Sequence, residues 1–297
     1  MTGRAHEWLQ LNVALARRDG SALPSARFIL RALESIFARK GRSSASFFFQ
    51  RKPPDLRLRF FDVRERLAGR LRPLISRAKF EGHIVRSFHS VYEPEYRQFG
   101  GRECMKAVHS FWSIDSLAWI AMDRLAERNA FAIPHATLIA SVLDDLFWRV
   151  LADDGEVWDT WCNLAVLLQS EVASGDVAAF LPSLETIRRT ASAAEADLVA
   201  RYQQANAALA DGLSRAWQSG RMECGVRSIL PYVAQFTLNR HGFDQARMVA
   251  IASAMTAVRN PKQHLRGGQP DRRGAGAGRS RERARLRRLA GRTKADD

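Results

Sequence analysis

The first 92 residues alternate between short segments of period-two hydrophobicity and longer segments of helical periodicity, and this order limits the possible folds most. Period-two segments are typical of strands, whereas apolar residues three and four positions apart are typical of amphipathic helices. The segments predict strands at residues 7–16, 44–50, 56–61 and 82–92, and helices at residues 21–39 and 63–78. Their order, βαββαβ, is that of the ferredoxin-like split unit, a small antiparallel sheet with its helices on a single face.

The remainder of the chain carries almost continuous helical periodicity. It predicts helices at residues 101–128, 134–152, 156–174, 183–219, 226–240 and 243–258. Pro134 stands at one predicted helix start, and Ser183 is a suitable N-cap for another. The sequence therefore predicts an α+β fold with a single domain over residues 1–260. In that domain, a sheet layer (residues 1–100) packs against a larger helical part (residues 101–260).

Positive charge is concentrated at the carboxyl end. The chain of 297 residues has a formal net charge of +15, and about half of this excess lies in residues 261–297. So polar a segment has little to bury, and it predicts a disordered basic tail. The tail could attract nucleic acid or an acidic peptide, or it could be only a solvated arginine-rich extension.

Several classes of protein lose support. No apolar run approaches the ~20 residues of a membrane-spanning helix, and the N-terminus lacks a secretory signal pattern. Cys104, Cys162 and Cys224 are odd in number and far apart, so we predict neither disulfides nor structural zinc, and a cytoplasmic location. Without a Gly-rich phosphate loop, a G-x-S-x-G elbow or an H-E-x-x-H helix, we expect no cofactor and no metal.

Two arginines mark one face of the predicted sheet. Arg57 and Arg59 lie two positions apart on a strand, so their side chains project from the same face. Two guanidinium groups facing one way suit the recognition of a carboxylate. The same pattern also arises on a solvated outer face of a sheet, and both interpretations stay open.

The loop at residues 90–101, SVYEPEYRQFGG, is unusual for a connector because it carries rings and charges beside a double glycine. It predicts the wall of a site. Arg97 could act on a substrate, or Glu93 and Glu95 could hold it as a structural clamp. These carboxylates could also serve as general acid and base. His109, on the following helix, is interpreted as a packed or capping residue.

Three motifs carry a family resemblance, supported by Leu238-Asn239-Arg240. They are Phe47-Phe48-Phe49-Gln50-Arg51 with Asp55-Leu56-Arg57-Leu58-Arg59-Phe60, then the loop from Tyr92 to Gly101, and finally His109-Ser110-Phe111-Trp112-Ser113-Ile114-Asp115-Ser116. Together they resemble the C-terminal domain of lantibiotic dehydratases, which is found alone as the thiopeptide-type bacteriocin biosynthesis domain. The resemblance runs from about Glu7 to Val258.

Fused members of this family eliminate glutamate from glutamylated Ser or Thr. The resemblance implies that Arg57, Arg59 and Arg97 lie where those enzymes hold the glutamyl carboxylate. It also places Gln235, four residues before Asn239, where eliminating members have an acid/base histidine. An amide cannot exchange a proton near neutral pH, so this departure argues against ordinary elimination.

Stand-alone relatives include thiopeptide pyridine synthases. The resemblance to them implies a formal [4+2] aza-cycloaddition between two dehydroalanines, followed by loss of water and of the leader peptide, which leaves a pyridine-centred macrocycle. Such chemistry depends on positioning and on hydrogen bonds that hold an amide as its iminol. The residues expected to act in catalysis are Tyr92, Glu93, Arg97, Tyr232 and Gln235. Those expected to bind substrate or leader are Arg57, Arg59, Glu95, Asn239 and Arg240.

The expected partner is a dehydrated, azoline- or azole-bearing precursor peptide with its leader, and other biosynthetic enzymes are candidate partners. We expect no membrane partner. One alternative is a stand-alone elimination subunit of a split dehydratase, working beside a glutamylating partner. Another is a non-catalytic protein that binds leader peptides or nucleic acid on the same scaffold. The retained side-chain pattern of the arginine strand and the loop favours an enzyme over a nucleic-acid-binding protein.

Overall fold

The computed structural model describes residues 8–37, 45–63, 65–169 and 181–264. The strands are β1 (Trp8–Leu15), β2 (Ser46–Lys52), β3 (Asp55–Phe61) and β4 (Ile84–Ser90). The helices before residue 260 are α1 (Leu23–Phe37), α2 (Glu65–Phe80), α3 (Arg102–Glu127), α4 (His135–Leu151), α5 (Asp154–Leu167), α6 (Leu184–Thr190), α7 (Ala193–Gln218), α8 (Val226–Arg240) and α9 (Gln245–Arg259). A separate unit starts at Asn260 with the short helix α10 (Pro261–His264), and residues 265–297 of the predicted tail lie outside the described residues.

The four strands form one antiparallel sheet in the order β2-β3-β1-β4. This arrangement confirms the predicted α+β fold and the strand order of the split unit. The prediction of a single helix over residues 183–219 is wrong, because the chain breaks into α6 and α7 at residues 191–192. Ser192 and Glu195 form a reciprocal capping box there, which starts a new helix.

The apolar face of the sheet contributes buried side chains to the core and contacts the end of α1. Leu58 and Phe60 on β3 and Phe47 on β2 are buried on this face. Phe37 of α1 packs against them, with its ring centroid 4.8 Å from that of Phe47. Burying each such side chain stabilises the fold by about 1.5–3 kcal/mol, so this face of the sheet forms part of the hydrophobic core.

The opposite face of the sheet is polar. Residues paired directly across antiparallel strands share a face, and the register places Phe48, Arg59, Gln10 and Ser90 in one row. The next row contains Gln50, Arg57, Asn12 and Phe88. The two strand arginines therefore lie side by side on this face, as predicted.

The two edges of the sheet differ. At the β2 edge, Ser116 Oγ of α3 accepts from the Phe49 main-chain N–H at 3.3 Å, and Asn239 Oδ1 of α8 accepts from the Arg51 main-chain N–H at 3.2 Å. Side chains of α3 and α8 thus accept hydrogen bonds from main-chain N–H groups that an edge strand would otherwise leave unpaired. β4 at the other edge is largely exposed. None of the described helices is both long and apolar enough to cross a bilayer.

Candidate functional site

The loop between β4 and α3 brings an aromatic side chain under the polar face of the sheet. Val91 is 80% exposed, whereas Tyr92 is only 8% exposed. The loop ends at Gly101, whose φ of 95° lies in the region that favours glycine. Gly100 has a φ of 75°, and a Cβ there would come within 2.5 Å of buried Ile229 Cδ1, so both positions of the double glycine favour glycine.

Arg59, Tyr92 and His109 form the centre of the candidate site. The guanidinium carbon of Arg59 lies 4.1 Å from the Tyr92 ring centroid, a cation–π contact. The Tyr92 hydroxyl is 2.7 Å from His109 Nε2, and the His109 ring packs against Trp8 at 4.4 Å between centroids. A ring of aromatic groups therefore holds one arginine and one tyrosine–histidine pair.

Three polar side chains of β1 and β4 orient the arginine. Arg59 Nε donates to Gln10 Oε1 at 2.8 Å. Gln10 Nε2 and Asn12 Nδ2 both donate to Ser90 Oγ, at 2.6 and 2.7 Å. Because Ser90 Oγ accepts both bonds, its own O–H remains a donor.

Burial keeps the tyrosine–histidine pair neutral. It lowers the pKa of His109 to about 3, and the charge of Arg59 acts in the same direction. Burial also raises the pKa of Tyr92, although Arg59 opposes this shift. Both groups are thus uncharged near pH 7, and they offer hydrogen bonds rather than charges.

This site has unused hydrogen-bonding capacity, as several other buried positions of the described residues also do. Among the described residues, Arg59 Nη1, Gln50 Oε1 and Glu95 Oε2 are buried atoms with no hydrogen-bond partner. A buried polar group without a partner costs about 1–3 kcal/mol. The charges of Arg59 and Glu95 interact, and a polar ligand that reaches both residues would supply the missing partners.

The rim of the site is more exposed. Arg57 is half-buried and its Nε donates to the Pro53 carbonyl at 3.4 Å. Lys52 is also half-buried, and burial lowers its pKa, with Glu95 opposing this effect. Its ammonium lies 4.9 Å from the Phe236 ring centroid, which joins the sheet face to α8.

The predicted residues of α8 and of the loop are distributed around this rim. Tyr232 and Gln235 are half-buried. Tyr232 lies three positions before Gln235 and four before Phe236, so it shares a side of α8 with each of them. Glu93 and Arg97 are exposed on the loop. The structure therefore brings Arg59, Tyr92 and Glu95 to the centre, whereas these four residues lie toward solvent.

The expectation that Arg240 binds the leader is corrected. Its side chain is completely buried, donates from Nε to the Phe49 carbonyl at 2.9 Å, and forms an ion pair with Asp115. A bound peptide has no access to such a group, so Arg240 acts on the architecture. Asn239 is half-buried, and its amide oxygen caps the β2 edge.

Sequence reasoning missed several residues of the site. His109 was interpreted as a packed or capping residue, yet its ring nitrogen contacts the Tyr92 hydroxyl. Gln10 and Asn12 were recognised only as polar positions of a strand. Their position across from Arg59 and Arg57 is the signal that could have identified them. In the described part of the chain, no three His, Cys, Asp or Glu side chains are grouped to hold a metal ion.

Comparisons with known proteins agree with this architecture. Residues 8–258 match the family described as "Lantibiotic biosynthesis dehydratase C-term". The fold is similar to the crystal structure of the tRNA dependent lantibiotic dehydratase MibB from Microbispora sp. 107891, with a TM-score of 0.63 and 16% identity. That match covers 90% of this chain but only 29% of the MibB chain.

A second similar structure is the crystal structure of TsrL, with a TM-score of 0.50 and 15% identity. This match covers 87% of the present chain and 95% of the TsrL chain. At such identities both likenesses show the fold alone. No curated protein matches the sequence.

Proposed function

Because the chain belongs to the lantibiotic biosynthesis dehydratase C-terminal family, we propose that it is an enzyme that modifies a ribosomally made precursor peptide. The reaction we propose is the formal [4+2] aza-cycloaddition of two dehydroalanines. One dehydroalanine, with its preceding amide in the iminol form, supplies a 2-azadiene, and the alkene of the other adds across it with two new C–C bonds. Loss of water and of the leader peptide then gives the pyridine.

The observation that supports this proposal most is the unused hydrogen-bonding capacity beside buried Arg59. A peptide backbone offers both N–H and C=O groups, so it can complement Arg59 Nη1 and Glu95 Oε2, whereas the fully buried Gln50 stays out of its reach, as Arg240 does. Arg57 and Lys52 at the rim add positive charge that suits an acidic leader.

The proposed chemistry asks mainly for positioning. Holding two remote alkenes of a flexible peptide face to face can lower the barrier by about 7–11 kcal/mol. We assign Arg59 and Tyr92 the role of hydrogen-bond donors to the amide oxygen. These bonds would stabilise the iminol as the amide tautomerises. Tyr232 and Gln235 on α8 are assigned to hold the second part of the peptide.

The tyrosine–histidine pair supports this reaction over glutamate elimination. An elimination needs a base that removes a proton at neutral pH. The pKa of His109 is about 3, so its imidazole is too weak a base for that role, and Gln235 has no basic atom. The adjacent guanidinium groups of Arg57 and Arg59 are the one feature that favours elimination, because they suit a glutamyl carboxylate.

Mass spectrometry separates the two reactions. The purified chain is incubated with a dehydrated, leader-bearing peptide and, separately, with a glutamylated peptide. We expect the first to yield a macrocycle and free leader, with one water lost, and the second to remain unchanged. Loss of glutamate from the second peptide would instead establish elimination. If neither peptide changes and the leader does not bind, the proposal is wrong.

The variant Gln235→His sharpens this test. Placing an imidazole at the position of the family's acid/base histidine should introduce glutamate loss if the rest of an elimination site remains. Gln235→Asn is the matched control, since it keeps the amide and changes only its reach. We expect the control to show no loss of glutamate from the glutamylated peptide.

A further inference from the structure

A second polar cluster lies beneath the β2 edge of the sheet. The carboxylate of Asp115 is fully buried and lies 2.9 Å from His241 Nε2 and 2.8 Å from the Tyr202 hydroxyl, in addition to its ion pair with Arg240. His241 Nδ1 in turn lies 2.9 Å from His135 Nε2. A continuous hydrogen-bonded chain thus runs outward from Asp115 to His135.

The protonation of these hydrogen-bonded side chains depends on the buried carboxylate of Asp115. Burial alone would raise the pKa of Asp115, but His241 and Arg240 outweigh it and lower this pKa to about 2. An ionised carboxylate only accepts hydrogen bonds, so His241 Nε2 carries a proton. His241 Nδ1 and His135 Nε2 share one hydrogen bond, in which one nitrogen donates and the other accepts.

His135 lies in the wall of a pocket. The pocket has a volume of about 330 Å³. Its lining includes His135, His241, Arg51, Trp119, Met122 and Phe131. The guanidinium carbon of Arg51 lies 4.8 Å from the Trp119 ring centroid, and Arg51 Nε donates to the Arg240 carbonyl at 3.0 Å. Among the described residues, Arg51 Nη1 and Nη2 have no hydrogen-bond partner.

The charges of this pocket favour an anion. Burial lowers the pKa of Arg51 to about 10, so it remains protonated near neutral pH. The acidic residue of the wall is Asp123, and its oxygens already accept from Arg27 at 2.9 Å and from Arg31 at 3.0 Å. The unused charge and donors of the pocket therefore belong to Arg51.

This pocket is separate from the site on the polar face of the sheet. Arg51 pairs with Leu56 across the β2–β3 ladder, and so it projects from the apolar face. Arg59 projects from the opposite face, because its position differs from that of Leu56 by an odd number. A ligand of one site therefore leaves the other accessible.

We propose that the pocket binds a small aromatic carboxylate. The carboxylate would pair with the Nη donors of Arg51, and the ring would pack against Trp119, Met122 and Phe131. At about 30 Å³ per small solvent-sized group, the pocket has room for about ten non-hydrogen atoms. This is the size of a benzoate.

Binding of 4-fluorobenzoate to the full chain, followed by fluorine NMR, tests the proposal. We expect saturable binding with a Kd of about 1 mM or below. The neutral isostere 4-fluorobenzamide should bind at least about tenfold more weakly, because it lacks the charge that Arg51 recognises. Equal binding of the two compounds, or no saturable binding of the carboxylate, would overturn the proposal.

Two variants locate the ligand. Arg51→Gln removes the cation and should weaken 4-fluorobenzoate at least about tenfold. Ala126→Trp, at an exposed position of the pocket wall, should fill the pocket and leave the hydrogen-bonded side chains around Asp115 unchanged. We expect it to weaken the binding of 4-fluorobenzoate to a similar extent. The matched control Arg72→Gln, on exposed α2, should bind as the parent does. Thermal melting followed by circular dichroism checks that each variant is folded. If Arg51→Gln does not fold, Ala126→Trp alone tests the location of the ligand. Unchanged binding in a folded pocket variant would contradict the assignment.

Discussion

Arg59 and Arg240 are both buried, but their surroundings differ in the kind of group that compensates the charge. Arg240 is fully enclosed and ion-paired with Asp115, and its Nε is bound to a strand carbonyl. Arg59 is held by the Gln10 amide and the Tyr92 ring, and its Nη1 has no partner among the described residues. Each arginine keeps one Nη atom without a hydrogen-bond partner among the described residues, so the difference between them is the carboxylate. A buried charge with an ion-pair partner is typical of architecture, whereas one without a carboxylate partner is typical of a place where a ligand supplies it.

Removing the partner of Arg240 should have the largest effect on the molecule. Asp115→Ala leaves a buried guanidinium group uncompensated, and we expect the free energy of unfolding to fall by about 3–5 kcal/mol. Denaturant titration measures this change. Asp197→Ala, which breaks the exposed pair with Arg201, is the control and should cost less than about 1 kcal/mol. Equal losses in both variants would remove the distinction between the two arginines.

Replacing Arg59 should separate function from stability. Arg59→Met keeps the volume and removes a buried charge, so the free energy of unfolding should change little or increase. Turnover of the leader-bearing peptide should fall by about a hundredfold, since donors in a preorganised site are worth about 10²–10³ in rate. Arg72→Met on exposed α2 serves as the control. A marked loss of stability without loss of turnover would make Arg59 a structural residue.

Acid should destabilise the region around Tyr92 through His109. The pKa of His109 is about 3 in the folded chain, below the ordinary value of 6.5. The unfolded chain therefore binds the proton more readily, and stability falls as the pH drops from 6.5 toward 3, by up to about 1.4 kcal/mol per pH unit.

His109→Gln should remove this contribution, so its free energy of unfolding should fall less between pH 7 and pH 5. The measurement is denaturant titration at the two values. His89→Gln, at an exposed position of β4, should keep the slope of the parent. Parallel slopes in all three proteins would show that His109 is protonated normally in the folded chain.

An exposed arginine of the same site should have the smallest effect. Arg97→Ala should weaken leader binding or turnover by more than about tenfold. It should leave the free energy of unfolding within about 0.5 kcal/mol, because the side chain is exposed. Fluorescence anisotropy with a labelled leader measures the affinity, with Arg128→Ala as the exposed control. An unchanged affinity and rate would exclude Arg97 from the site.

The strand pattern predicted most of the sheet. Period-two hydrophobicity in β3 was enough to put Arg57 and Arg59 on one face, because alternation is a local property of a strand. The break between α6 and α7 is missing from the prediction, although Ser192 and Glu195 have the spacing of a capping box that indicates it.

The pairings between distant segments could not be predicted in the same way. Tyr92 meets His109 only because the intervening loop turns the tyrosine inward, and the path of that loop depends on contacts with α8. The burial of Arg240 depends on Asp115, which lies 125 positions earlier. No local periodicity encodes such pairs, so an arginine beside a recognised motif could not be assigned to solvent or to the interior.

Phe47, Phe48 and Phe49 are consecutive in sequence but border three different environments. Phe47 packs against α1, Phe48 lies 5.4 Å from the guanidinium carbon of Arg59, and Phe49 packs edge-on against Trp119 beside the second pocket. Saturation mutagenesis of these three positions should therefore affect three different properties. We expect changes at Phe47 to alter stability, changes at Phe48 to alter the proposed peptide site, and changes at Phe49 to alter ligand affinity in the second pocket. Under the proposed function, a change of substrate would involve the middle position, because Phe48 is the one ring of the three that contacts Arg59.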